Sequence, residues 1–281
     1  GSFWTMTTRK QRGDAAMAGA KGLDRKSIEK HAESILRDLG LYRLPVDPFE
    51  IARKERIKLA PGDYDGCFDG RLEYHAAKRK FLLFYADERT GSTEGRIRFT
   101  IGHELGHYYL CEHHQYLTSG IWHGSHTGFV SDNRLEREAD LFSAALLMPE
   151  ELYRTAVRNY RQSVCSLSEL MTLADRMKVS VTASAIRYCN LDIEASGVIL
   201  SRNGRVLFHL PSYSMERRGY SYIAKGSAIP ITSAAHDLIE DPSEERAEGE
   251  IDAGVWYEDQ EGDLWEESAR LGKTGLIITY L

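Results

Sequence analysis

Residues 99–110 read FTIGHELGHYYL. His103 and His107 stand four apart, and Glu104 follows the first histidine directly. On an α-helix, positions four apart fall on one face, one turn above the other. Two imidazoles so placed can be offered to one cation, while the adjoining carboxylate can meet a water held beside it. A catalytic zinc site takes three protein ligands and keeps a fourth position open. The stretch supplies two, so the reading turns on where the third comes from.

Two residues compete for that role. His113 completes the spacing H-E-x-x-H-x-x-x-x-x-H, in which a glycine three residues after the second histidine turns the chain back. Leucine stands there instead, at position 110, and does not take positive φ freely. A continuous helix would carry His113 past the cation. Glu136, in LEREAD (135–140), lies on a following helix and can complete a His₂Glu set. Asp140 is one turn further along the same face and can accept the free ring N–H of a ligand histidine, fixing its tautomer. Glu138 points off that face and is expected at the surface.

Around the motif, periodicity lays out the chain. Ile28, Ala32, Ile35, Leu36 and Leu39 mark an amphipathic helix from Asp24 to Leu39, stopped at Gly40. A second short helix is expected across residues 48–55 after PVDP. Residues 57–86 read as β, with IKLAP and KFLLFYA as strands around a glycine-rich turn. The histidine motif lies on a helix running to about Leu110, residues 111–131 read as a loop, and Leu135, Ala139, Phe142 and Leu146 line a helix that Pro149 ends. Two short helices joined at Lys178-Val179-Ser180 have a helix-turn-helix pattern. GVILSRNGRVLFHL is a hairpin with Asn203-Gly204 as a type I′ turn, and GLIITYL is a final strand. Helices with a few strands, then a strand-rich end, make the fold class α+β.

With 42% hydrophobic and 28% charged residues in 281, the chain can bury a sizeable core. A net charge of −6 argues against a chain-wide nucleic-acid or membrane-surface role. No apolar run is long enough to span a bilayer. Cys67, Cys111, Cys165 and Cys189 form no CxxC pair and are expected to be reduced and mostly buried, in a cytoplasmic protein. Residues 1–22 begin with Gly-Ser, read as the scar of a cleaved tag, and are expected to be disordered. Between residues 236 and 267 the chain has 14 acidic side chains against one basic, Arg246, which reads as an acidic loop or a solvated face. His209 and His236 are expected to be ordinary polar residues.

RIRFTIGHELGHYYL followed by EREADLFSAALLMP resembles the ImmA/IrrE family of metallopeptidases, and the upstream PVDPFEIA is similar as well. The resemblance implies metal ligands at His103, His107 and Glu136, with Glu104 as the catalytic carboxylate. It implies a zincin-like peptidase domain over 23–160, a helix-turn-helix over 161–191 and a GAF-like α/β domain over 192–281. Zn²⁺ is the expected cofactor, with Mn²⁺ the alternative in the cell. The expected activity is that of a regulatory endopeptidase cleaving an XRE-type helix-turn-helix repressor in a DNA-damage and radiation response. A small-molecule signal at the C-terminal domain is a further expectation.

Three finer expectations attach to the reaction. Tyr108, His123 and His126 are the candidates for stabilising the oxyanion. KFLLFYA is either an edge strand on which an extended substrate pairs or simply a core strand, and the sequence allows both. DNA binding, the competing use of the helix pair, is expected to be weak: residues 164–192 carry three basic and three acidic side chains, and the second helix offers only Arg187 to a base or phosphate.

Overall fold

The computed structural model describes residues 23–119, 132–160, 165–220 and 223–281. The expected disordered start and the candidates His123 and His126 lie outside them. The described helices are α1 (Arg25–Asp38), α2 (Pro48–Lys54), α3 (Glu94–Tyr109), α4 (Cys111–Thr118), α5 (Asp132–Leu147), α6 (Glu150–Tyr160), α7 (Leu167–Met177), α8 (Val181–Asn190), α9 (Tyr213–Arg217), α10 (Ala234–Glu240) and α11 (Ala253–Trp256). The strands are β1 (Lys58–Gly62), β2 (Gly70–His75), β3 (Lys80–Ala86), β4 (Gly197–Arg202), β5 (Arg205–Pro211), β6 (Arg246–Asp252), β7 (Asp263–Arg270) and β8 (Leu276–Tyr280). Among the described residues, none of the helices is long and apolar enough to cross a membrane.

The described chain divides into two compact units, one reaching Ala156 and including Ala174–Ser180, the other gathering Val157–Leu173 and Val181–Leu281. In the first, α1 starts at Asp24, whose carboxylate accepts the Ser27 N–H at 3.0 Å, and buries Ile28, Ala32, Ile35 and Leu36. The isoleucine and leucine side chains each contribute roughly 1.5–3 kcal/mol when withdrawn from water, and the alanine methyl about 0.8 kcal/mol. Asp47 caps α2 through the Phe49 N–H at 2.9 Å, with Pro48 in the first turn where its missing donor costs nothing. Thr93 caps α3.

The sheet of this unit has the order β1-β3-β2, with β1 parallel and β2 antiparallel to β3. KFLLFYA is therefore the central strand: of its two readings the core strand holds and the edge strand is overturned. The edge on that side is β2, GRLEYH, which pairs with β3 from Gly70↔Tyr85 to His75↔Lys80. Its alternating, mostly polar residues after a glycine-rich turn hide it from a search for apolar runs. A second correction concerns residues 111–131: Cys111–Thr118 are helical, not loop. Leu110 is extended, with ψ 119°, so the chain makes a corner between α3 and α4 instead of continuing straight.

In the second unit the Asn203-Gly204 turn has φ 51° and 68°, as a type I′ hairpin needs. The five strands are ordered β5-β4-β8-β7-β6 and every pairing is antiparallel. Ile199, Val206, Met215, Leu238, Trp256 and Ile277 form the core. The acidic stretch is not a loop: it is built into α10, β6, α11 and β7. One of its carboxylates, Glu266, is buried and accepts from the Ala235 N–H and the Trp256 indole N–H at 3.2 and 3.1 Å. His209 is buried too: Nδ1 accepts the Ile223 N–H at 3.1 Å and Nε2 lies 2.9 Å from the Tyr257 hydroxyl. The four cysteines are free, but only Cys165 and Cys189 are buried, while Cys67 and Cys111 are exposed.

Candidate metal centre

The site is made where α3 meets α5. Gly106 faces Ala139 so closely that a Cβ there would lie 3.0 Å from the Ala139 Cα, and one at Gly102 would lie 2.5 Å from Ser143 Oγ. Two glycines four apart thus let the helix backbones approach, and Glu136 and Asp140 flank the contact point on α5. Sequence reading gave these glycines no role, although paired glycines inside a helix, each unfavourable by about 1 kcal/mol against alanine, are a signal in themselves.

The close approach brings three donors together. His103 Nε2 and His107 Nε2 are 3.0 Å apart, and Glu136 Oε2 and Oε1 lie 3.1 and 3.3 Å from them respectively. One atom from each of His103, His107 and Glu136 lies within 4.8 Å of the others. Two imidazole nitrogens and a carboxylate oxygen converging in this way suit zinc or another divalent transition ion. Asp140 Oδ1 lies 2.9 Å from His103 Nδ1, the ring nitrogen turned away from the cluster.

Charge reinforces the arrangement. Burial alone would lower the His103 pKa, but the hydrogen bonds its ring donates to Asp140 and Glu136 outweigh it and raise the pKa well above the ordinary value. Burial would likewise raise Glu136, yet its hydrogen bonds with the two histidines hold it below the carboxylate range. His107 is pushed down to about 4, chiefly by burial. Glu104, only 5% exposed, is pushed up to about 7. Burial is the main cause; the His103 charge and the Leu72 N–H pull the other way, while the Glu136 charge adds to the rise.

Strand β2 lies directly against Glu104. A Cβ on Gly70 would come within 2.4 Å of Thr100 Cγ2 and 2.9 Å of Glu104 Oε1. Only glycine lets the strand start here without displacing that carboxylate.

The remaining candidates fall elsewhere. His113 is not in the cluster: its Nε2 is 3.1 Å from Glu138 Oε2, and its Nδ1 is 3.0 Å from His107 Nδ1. Glu138, expected at the surface, is 5% exposed because α4 covers that side of α5. The Tyr108 hydroxyl donates to Glu55 at 3.1 Å, which commits this oxyanion candidate to another partner. Arg187, the one strong contact offered to DNA, is 2% exposed, and residues 184–189 of α8 are all buried.

Residues 87–188 match a family model described as "Peptidase_M78: IrrE N-terminal-like domain". None of the curated proteins matches the chain. Among solved structures, the chain is similar to a "Mycobacterium tuberculosis transcriptional regulator" at 14% identity and a TM-score of 0.60, over 90% of this chain and 76% of that one. At that identity the likeness is one of fold.

Proposed function

We propose that the chain is an IrrE-type metal-dependent endopeptidase. Its proposed substrate is an XRE-type helix-turn-helix repressor, whose cleavage releases genes of a DNA-damage and radiation response in the cytoplasm. One observation carries the reading: His103, His107 and Glu136 converge beside a buried carboxylate, Glu104.

His103 and His107 through Nε2, with Glu136, would hold Zn²⁺, or Mn²⁺ in its place. When bound, such an ion supplies Lewis acidity, drawing the pKa of water down from about 15.7 towards neutrality and polarising a carbonyl. Asp140 orients the His103 ring. Glu104 takes a proton from water at a carboxylate oxygen as the water oxygen adds to the peptide carbonyl carbon. The same oxygen then delivers the proton to the departing amine nitrogen, and the C–N bond breaks. In the ion-free site burial pushes the Glu104 carboxyl up to about 7, which makes its carboxylate a stronger base than that of an exposed glutamate. An extended substrate pairs with β2, the outer strand nearest Glu104.

A role in DNA recognition through α8 is disfavoured by the burial of Arg187. Residues 192–281 are proposed, on the family resemblance, to be a GAF-like sensor of a small-molecule signal.

The test is Glu104→Gln. The variant should bind zinc as wild type does while cleavage of an XRE-type repressor falls to background. Cleavage at the wild-type rate by the variant would refute the assignment.

A further inference from the structure

Two buried titratable side chains beside the centre take no part in the reaction above. His113 on α4 is 1% exposed and Glu138 on α5 is 5% exposed. They extend in a line from the second histidine: His107 Nδ1 to His113 Nδ1 at 3.0 Å, then His113 Nε2 to Glu138 Oε2 at 3.1 Å. Glu138 is held in turn, with Oε1 3.8 Å from Arg134 Nε, and Arg134 also pairs with Glu112 at the start of α4. The corner at Leu110 is what swings α4 back into this position.

Proton counting gives the line a direction. A neutral imidazole has one donor and one acceptor nitrogen. With an ion on His107 Nε2, the proton of that ring sits on Nδ1, so His113 Nδ1 must accept. The His113 proton then sits on Nε2 and is donated to the Glu138 carboxylate. In the reverse order, a bare His113 Nε2 would face a carboxylate oxygen with no proton between them.

We propose that His113 and Glu138 are positioning residues that fix the tautomer and ring plane of His107, as Asp140 does for His103. Each ligand histidine thus has its own anchor, one a carboxylate directly and the other a carboxylate acting through a second imidazole. The proposal rests on the metal reading. Outer partners of this kind are worth about 10–100-fold in metal affinity.

The test compares zinc affinity in the full chain, by competition with a chromophoric chelator, for wild type, His113→Leu, His113→Asn and Glu138→Gln. Folding of each metal-free variant is checked by circular dichroism. His113→Leu should bind zinc roughly 10–100-fold more weakly. His113→Asn should recover part of the loss, because its amide oxygen offers His107 an acceptor near the place of Nδ1; a purely space-filling role gives no such rescue. Glu138→Gln should fall between these and wild type. In the zinc-loaded wild type, ¹⁵N spectra of the rings should show His107 protonated on Nδ1 and His113 on Nε2. That measurement decides the matter if His113→Leu fails to fold. A folded His113→Leu with wild-type affinity, or a His113 proton on Nδ1, overturns the dyad while leaving the metal site standing. A wild-type protein that takes up no zinc overturns the metal reading, and the dyad with it.

Discussion

Replacing Gly106 by alanine sets helix propensity against helix packing, and the two give opposite signs. In an unconstrained helix the change would stabilise the protein by about 1 kcal/mol. Here the new methyl carbon would lie 3.0 Å from the Ala139 Cα and 3.3 Å from both its Cβ and its carbonyl oxygen. Carbon atoms settle at roughly 3.5–4.0 Å, so α5 must retreat by about 0.5–1 Å. Backbone cannot rotate away as a side-chain tip can. Overpacking of this kind costs about 1–3 kcal/mol, which leaves a net change between nothing and a loss of about 2 kcal/mol. The metal should feel the retreat more than the fold does. Glu136 lies on the turn of α5 beside Ala139, and metal–ligand distances tolerate only about 0.2 Å of error. Zinc affinity should therefore fall at least about tenfold while the protein remains folded. Urea denaturation of the metal-free protein and chelator competition measure the two quantities separately. If the variant is about 1 kcal/mol more stable and binds zinc like wild type, close helix contact does not set the ligand geometry.

Gly70→Ala should push against Thr100 and the Glu104 carboxylate together. Zinc content should hold while hydrolysis of an XRE-type repressor drops by about 100-fold, the scale of a 1 Å misplacement; equal losses of both would point to general unfolding instead. Acid stability should depend on His209, which burial pushes down to about 3. Because the folded pKa is depressed below the unfolded value near 6.5, the neutral ring's contribution is complete above pH 6.5 and is lost as pH falls towards 3. Each pH unit in that window removes about 1.4 kcal/mol, so roughly 3 kcal/mol is lost by pH 4.5. His209→Phe should flatten this part of the curve, read as the shift in urea midpoint between pH 7 and 4.5; an unchanged slope would rule His209 out as its source.

What could be read in the sequence, and what could not, follows one physical line. Elements with an apolar stripe and a local stop signal were legible: α1 with Asp24 and Gly40, α5 with Leu135, Ala139 and Phe142, and the hairpin at Asn203-Gly204. The three converging donors were legible as well: helical spacing puts His103 beside His107 and Glu136 beside Asp140, and the family resemblance joins the two pairs. Beside the candidate site, two elements without apolar pattern went unseen, and each concealed a property of its neighbour. Missing β2 made β3 look like an edge strand. Missing α4 made Glu138 look exposed and left His113 with only the choice between ligand and surface. In fact α4 buries one residue, and that residue is His113. Its packing against α5 includes a hydrogen bond to Glu138 and an ion pair from Glu112 to Arg134. Hydrophobic periodicity detects faces that leave water because they are oily; it is blind to a polar face that leaves water because another polar element satisfies it. Around a metal centre such faces are the rule, since ligand rings need buried hydrogen-bond partners more than they need apolar contact. A short histidine-bearing helix just after an H-E-x-x-H motif is thus best tested as cover for the second histidine before it is dismissed as loop.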